Sequence, residues 1–158
     1  MISQFCKWLD ATPLSQTFQA LVWFVPTVQI VHILCIAVVM TAVGMLDFKL
    51  LGLSRGEQTL AAMASGFMPW IWSALTILLT TGILLTITEP SRELLNPAFR
   101  LKMLMVLAVA ALLRLIQLRL RRDPGYWGGR PAAARAIGGA SLLLVVSIIV
   151  AGRWIAYI

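Results

Sequence analysis

Four long apolar runs, at about residues 20–46, 69–88, 98–120 and 134–157, occupy most of this 158-residue chain. A helix needs about 20 predominantly apolar residues to cross a hydrocarbon core of about 30 Å, and each run meets that length. The segments between the runs are too short for a soluble domain of about 50 residues. We therefore predict an all-α polytopic membrane protein, with a single transmembrane domain over residues 1–158 formed by a bundle of four transmembrane helices plus short interfacial helices.

The composition excludes several other classes of protein. Hydrophobic residues make up 60% of the chain and charged residues 12%, whereas an ordinary soluble domain has about 25% charged residues. A soluble enzyme, a disordered chain and a nucleic-acid-binding module are all inconsistent with these values.

The first eleven residues predict a short helix lying in the membrane interface, because four apolar residues fall on one helical face. These are Ile2, Phe5, Cys6 and Leu9. Thr12 and Pro13 then form a helix-start signal, an N-cap followed by proline in the first turn. The long apolar run that follows is expected to bend at Pro26.

Further start and stop signals divide the rest of the chain. Ser54 to Glu57 match a capping box that predicts a short amphipathic helix toward Phe67. Pro69 is expected to start the second span, and Asn96-Pro97 the third. A loop rich in glycine then leads to Pro131 and the fourth span.

The net charge of +7 is concentrated around the connection of the third and fourth runs, where six of the thirteen basic residues lie from the end of one run to the beginning of the other. They are Arg114, Arg119, Arg121, Arg122, Arg130 and Arg135. Basic residues beside a span mark its cytoplasmic side and attract anionic lipid headgroups. We expect a multi-pass protein of the bacterial inner membrane with both termini periplasmic, anionic lipids at the basic third loop, and no nucleic-acid partner.

His32, the only histidine, falls near the middle of the first span. An ionisable side chain at that depth is by default a candidate functional site. One interpretation is structural: a neutral imidazole hydrogen-bonded to a hydroxyl of span two, at Ser73, Thr76 or Thr80. Another is a haem axial ligand, because neutral imidazole binds haem iron and the space between bundle helices holds such cofactors. A third is copper ligation together with Cys35 and a methionine such as Met40 or Met68.

Three basic residues lie near the periplasmic ends of the last two spans: Lys102, Arg100 and Arg153. They are explained either by side chains that extend to the interface or by a basic rim that binds anionic groups, such as the propionates of a haem held by His32. With one histidine per chain, bis-histidine ligation requires a subunit interface. No acidic residue is expected inside a span, since Asp47 and Glu89 lie at the edges, and this argues against an ion-coupled transporter.

Two stretches of the sequence also carry a family resemblance. His32-Ile33-Leu34 through Gly44, followed by Asp47-Phe48-Lys49-Leu50-Leu51-Gly52, resembles the first helix of small bacterial four-helix membrane proteins of unassigned function. Residues 96–102 (Asn-Pro-Ala-Phe-Arg-Leu-Lys) and 152–157 (Gly-Arg-Trp-Ile-Ala-Tyr) extend the resemblance. More loosely, the chain is similar to copper-resistance D-type bundles and to membrane-bound haem-containing protoporphyrinogen oxidases. In those oxidases a first-helix histidine and a lysine that opens a later helix matter for haem, which implies His32 and Lys102 here.

The sequence thus leads to a specific hypothesis: a b-type haem-binding electron-transfer membrane subunit, acting in a homo-oligomer or a larger membrane complex. His32 is the expected iron ligand, and Lys102, Arg100 and Arg153 are the expected contacts of the propionates. The alternative is a cofactor-free anchoring or assembly subunit, and copper handling is a third possibility. No residue is assigned a catalytic role.

Overall fold

The computed structural model describes residues 2–54 and 56–154, with the backbone alone at 153 and 154. Its regular secondary structure is entirely helical in this part of the chain, which confirms the all-α prediction. The helices are α1 (Ile2–Asp10), α2 (Pro13–Ala20), α3 (Phe24–Leu50), α4 (Leu60–Thr88), α5 (Pro90–Leu94), α6 (Pro97–Arg122) and α7 (Pro131–Trp154).

Helices α3, α4, α6 and α7 are each long and apolar enough to cross a membrane. Helix α3 packs against α4 and α7, and α6 packs against α7, whereas α4 and α6 approach each other least. The largest fully buried side chains are those of Leu46, Ile71, Leu113 and Ile116. We call the end that carries the α3–α4 and α6–α7 connections the loop end, and the opposite end, with α1, α2 and α5, the terminal end.

The predicted helix start at Thr12 is confirmed, because the Thr12 side chain accepts a hydrogen bond from the Ser15 amide at the beginning of α2. The predicted kink at Pro26 is wrong. The chain leaves the helical conformation at Leu21, and α3 begins afresh at Phe24. Pro26 therefore lies in the first turn of α3. Backbone N–H groups in the first turn have no partner within the helix, so the N–H group that proline lacks is not needed there.

The N-terminal helices close the terminal end of α4. Ser15 is fully buried and its hydroxyl donates to the carbonyl of Ile87 at 2.7 Å. The Gln19 amide donates to the carbonyl of Thr88 at 2.9 Å and to Asp10 at 2.8 Å. The last carbonyls of a helix have no partner within the helix, so these side chains supply hydrogen bonds that the backbone of α4 cannot.

The predicted short helix in the α3–α4 connection is also wrong at its start, because the stretch from Ser54 to Glu57 opens no helix within the described residues. Helix α4 begins instead at Leu60, where the Thr59 side chain accepts a hydrogen bond from the Ala62 amide. A glycine at position 56 disfavours a helix interior, and its carbonyl accepts from the Lys49 ammonium at 2.6 Å.

Pro69, predicted to start the second span, lies inside α4. This helix has 29 residues and is about 44 Å long, which exceeds a hydrocarbon core of about 30 Å. A helix of this length must tilt in the bilayer or extend past the core.

The later boundaries agree more closely with the prediction. Asn96 caps α6 by accepting a hydrogen bond from the Ala98 amide at 2.9 Å, and Pro97 occupies the first turn. Helix α7 begins at Pro131, three residues before the expected start of the fourth apolar run. The end of that run, residues 155–157, lies outside the described residues, as does residue 158.

Helices α3 and α7 cross at Gly138 with almost no space between them. A Cβ atom placed on Gly138 would lie 2.9 Å from Cβ of Leu50 and 3.1 Å from the carbonyl oxygen of Asp47. At the neighbouring Gly139 the nearest atom is Cδ2 of Leu51 at 3.9 Å, an ordinary contact. Small residues of this kind allow membrane helices to approach closely.

We expect Gly138→Ala to destabilise the protein by about 1–3 kcal/mol, because the added methyl group must push the two backbones apart. Gly139→Ala adds the same group without a clash and is the matched control. It should leave stability unchanged or raise it by up to about 1 kcal/mol through helix propensity. Thermal unfolding in detergent micelles measures both, and equal effects of the two substitutions would contradict the close crossing.

Candidate ligand site

His32 is held between α3 and α4 by one hydrogen bond near the terminal end. Its Nδ1 atom lies 2.7 Å from Oγ1 of Thr81. The imidazole is half-buried, whereas Thr81 is only 7% exposed. The predicted environment, an imidazole bonded to a hydroxyl of the second span, is therefore confirmed.

The predicted partners of His32 are wrong. Thr76 and Thr80 donate to carbonyls of their own helix, at 2.9 and 3.0 Å, and both side chains are exposed, as is Ser73. Each residue of a helix is rotated by about 100° from the preceding one, so Thr81 faces α3 where Thr80 does not. Sequence alone shows a hydroxyl-rich span but not which of its faces meets α3.

The hydrogen-bond network around Thr81 assigns the tautomer of His32. The Thr81 hydroxyl donates to the carbonyl of Ile77 at 2.8 Å, and a hydroxyl has a single proton to donate. Its oxygen then accepts from the imidazole, which places the proton on Nδ1 and leaves a lone pair on Nε2. Among the described residues Nε2 has no hydrogen-bond partner, so it is the nitrogen able to bind a ligand or metal.

Lys102 is the second polar side chain at this level of the bundle. It lies on α6, diagonally opposite α3, in the terminal half of the bundle. The side chain is half-buried, with Nζ 5.2 Å from the centre of the Phe99 ring. Each of these two side chains packs beside a glycine, His32 beside Gly82 and Lys102 beside Gly152. A Cβ on Gly82 would lie 3.7 Å from Cε1 of His32, and one on Gly152 would lie 3.8 Å from Cδ of Lys102.

We call His32, Thr81 and Lys102 the terminal-end site. It joins two of the four residues that the sequence predicted to act together. Arg100 does not belong to it, since this residue is exposed and its Nε donates to the carbonyl of Leu94 at 3.2 Å. The Arg153 side chain lies outside the described residues.

The predicted copper ligands do not form a cluster. Within the described part of the chain, no three His, Cys, Asp or Glu side chains come together to hold a metal. Met40 is eight residues, or about 12 Å, from His32 along α3 and is 39% exposed. Met68 is buried in α4, thirteen residues from Thr81, or about 20 Å along the helix axis.

Asp47 is a buried polar residue that the sequence prediction placed wrongly at a membrane edge. It lies one turn before the end of α3 but is 0% exposed. The Ser141 hydroxyl of α7 lies beside it, also fully buried. Within the described chain neither carboxylate oxygen, nor the Ser141 hydroxyl, reaches hydrogen-bonding geometry.

The burial pattern of α3 explains why Asp47 is enclosed. The buried positions of α3 fall at the spacing of a single helical stripe: Val39, Ala42, Val43, Leu46, Asp47 and Leu50. Spacings of three and four define one helix face, so Asp47 belongs to the face that packs against α7. Hydropathy alone does not indicate that Asp47 is buried, because a polar residue close to the end of an apolar run is readily attributed to the interface.

We expect Asp47→Asn to leave stability within about 1 kcal/mol of the wild type or to raise it. A buried carboxylate without a cationic partner is costly, and a neutral side chain of the same shape removes that cost. The measurement is the unfolding of Asp47→Asn in detergent, and the control is the unfolding of Glu57→Gln, which removes one carboxyl group at an exposed loop position. A loss of about 3 kcal/mol or more with Asp47→Asn would mean that a cation compensates this carboxylate.

The fold and its polar interior define a class of protein: a four-span helical membrane protein with one polar site inside the terminal half of its bundle. The chain belongs to a family of unknown function (DUF6644), whose family model matches residues 7–158. This agrees with the predicted resemblance to membrane proteins of unassigned function. No similarity to copper-resistance or oxidase-type families is found, and neither curated proteins nor solved structures give a match.

Proposed function

We propose that this protein is a membrane subunit that binds b-type haem at the terminal-end site and serves electron transfer. The observation that carries the proposal is the orientation of His32. Thr81 bonds to Nδ1, and the lone pair of Nε2 is left for a ligand. A metal-binding histidine is commonly oriented in this way, by a hydrogen bond at its other nitrogen.

The residues present fit haem in two respects. Neutral imidazole is a common axial ligand of haem iron, and Lys102 is a half-buried cation at the same end of the bundle, where it would attract propionate groups. Gly82 and Gly152 let these two side chains pack closely, since a Cβ would lie 3.7 Å from Cε1 of His32 and 3.8 Å from Cδ of Lys102. When bound there, haem would supply a one-electron redox centre.

The second axial ligand cannot be another histidine of the same chain, since His32 is the only one. Bis-histidine ligation would require a second copy, so we propose a homo-oligomer or a larger membrane complex. Arg100 and Arg153 are proposed contacts at the rim rather than inside the site. The concentration of basic residues at the loop end supports a bacterial inner-membrane orientation with both termini in the periplasm.

One observation favours a second candidate function, a cofactor-free anchoring or assembly subunit. The His32–Thr81 hydrogen bond joins α3 to α4 and by itself satisfies one nitrogen of the imidazole. A polar contact of this kind between membrane helices contributes about 0.6 kcal/mol on average. In that case His32 is a structural residue, and the function lies in the surface that binds a partner subunit.

The absorption spectrum of the purified protein separates these candidates. We expect a Soret band after haem is supplied during expression or added to the folded protein. The band should be absent in His32→Ala and weakened in Thr81→Val. Thr80→Val is the matched control, because Thr80 is exposed and bonds only within its own helix, and it should leave the band unchanged. Folded wild-type protein that stays colourless after haem addition would contradict the haem proposal.

Stability measurements give an independent check. A ligand that binds only the native state stabilises it by mass action. His32→Ala should therefore lower the melting temperature strongly in haem-loaded protein, and in haem-free protein by only the equivalent of about 1 kcal/mol for one lost hydrogen bond. Equal losses in the two forms would support the anchoring subunit instead.

A further inference from the structure

Helices α4 and α6 leave a cleft between them at the loop end, on the side of the bundle where the helices pack least closely. The cleft has a volume of about 450 Å³ and continues into a second space of about 330 Å³. Its apolar wall comes from α4, with Ala61, Ala64, Met68 and Pro69. Its polar wall comes from Trp72 of α4 together with Arg114, Gln117 and Arg121 of α6.

The position of the cleft along the helices corresponds to a membrane interface. Gln117 lies twenty residues after the start of α6 at Pro97, which is about 30 Å and equals the thickness of a hydrocarbon core. Trp72 lies sixteen residues before the end of α4, about 24 Å along the helix axis. Trp72 therefore lies about 6 Å inside the edge of the core, next to the boundary at which tryptophan is enriched.

Hydrogen bonds within the cleft leave donors facing its interior. Oε1 of Gln117 accepts from Nε1 of Trp72 at 3.2 Å and from Nη1 of Arg114 at 3.1 Å. Because both donors approach the same atom, that atom is the amide oxygen, and the amide NH₂ group remains available to donate. Arg114 and Arg121 carry further N–H groups with no capacity to accept.

No acidic side chain neutralises these arginines in the described part of the chain, where the one ion pair joins Glu89 to Arg92 at the opposite end. The residues that line the cleft include no carboxylate. Two positive charges, an amide donor and an apolar wall therefore meet at headgroup depth. Basic pockets between spans at this level are suited to anionic lipid headgroups.

We propose that the α4–α6 cleft binds the phosphate headgroup of an anionic phospholipid. Arg114 and Arg121 pair with the phosphate, and Gln117 donates to one of its oxygens. This site is separate from the terminal-end site, so its lipid would be bound whether or not haem is.

Lipid retention in native mass spectrometry tests the proposal, with the protein equilibrated with vesicles of phosphatidylglycerol or phosphatidylcholine. We expect the wild type to retain one phosphatidylglycerol molecule in preference to phosphatidylcholine. Replacing both arginines, as Arg114→Gln with Arg121→Gln, should weaken retention about 25-fold. Arg122→Gln is the matched control for Arg121→Gln alone, since each removes one charge at adjacent positions of α6 and only Arg121 lines the cleft, and Arg122→Gln should retain the lipid.

Three outcomes of the retention experiment would overturn the proposal. The wild type could retain both lipids equally. Arg122→Gln could reduce retention as much as a cleft substitution does, which would indicate general attraction to the basic end. Inorganic phosphate could displace the lipid completely, which would indicate a site for a free anion. If the double variant fails to fold, Arg121→Gln alone is compared with Arg121→Lys, and the lysine variant should restore most of the retention.

A change of oligomeric state identifies the other possible occupant of the cleft. If the double substitution converts an oligomer to a monomer in lipid-free detergent, the cleft is an interface between copies and the lipid proposal is wrong. An unchanged oligomeric state together with lost lipid supports the proposal.

Discussion

Every polar group in the interior of this bundle must find its partner inside the protein, because hydrocarbon offers none. The structure meets this constraint in different ways at its two ends. At the terminal end, Ser15 and Gln19 bond to carbonyls of α4, and Thr81 bonds to His32. Near the loop end, Asp47 and Ser141 are buried without hydrogen bonds among the described residues. The polar interior is therefore well satisfied at the end that holds the candidate site and strained where α3 crosses α7.

Much of the architecture could be predicted from apolar runs and helix caps. Thr12, Asn96 and the proline that follows each of them defined helix starts correctly, because a cap is a local interaction between neighbouring residues. Pro26 and Pro69 were misjudged for a related reason. Proline is tolerated early in a helix and breaks it later, so its effect depends on where the helix begins, and that in turn depends on packing against other helices.

The candidate site was predictable in outline but not in its contacts. The depth of His32 and a hydroxyl-rich second span followed from the sequence. The choice of Thr81 over Thr80, and the exclusion of Arg100, depend on how α3, α4 and α6 are rotated about their axes. Periodicity describes the apolar face of a helix, but in α3 and α4 apolar residues cover all faces, since lipid surrounds them. For the same reason the burial of Asp47 was missed.

The hydrogen bond between Ser15 and the carbonyl of Ile87 joins residues 72 positions apart in the sequence, and this separation has a consequence for biogenesis. During synthesis the segment before the first span is made long before α4 is complete. Ser15 cannot make this hydrogen bond until α3 and α4 have both been inserted, because only then does the end of α4 lie on the same side of the membrane as the N-terminal segment. The closure of this end is therefore a late step in assembly, because it joins a segment that is synthesised early to a helix that is inserted later.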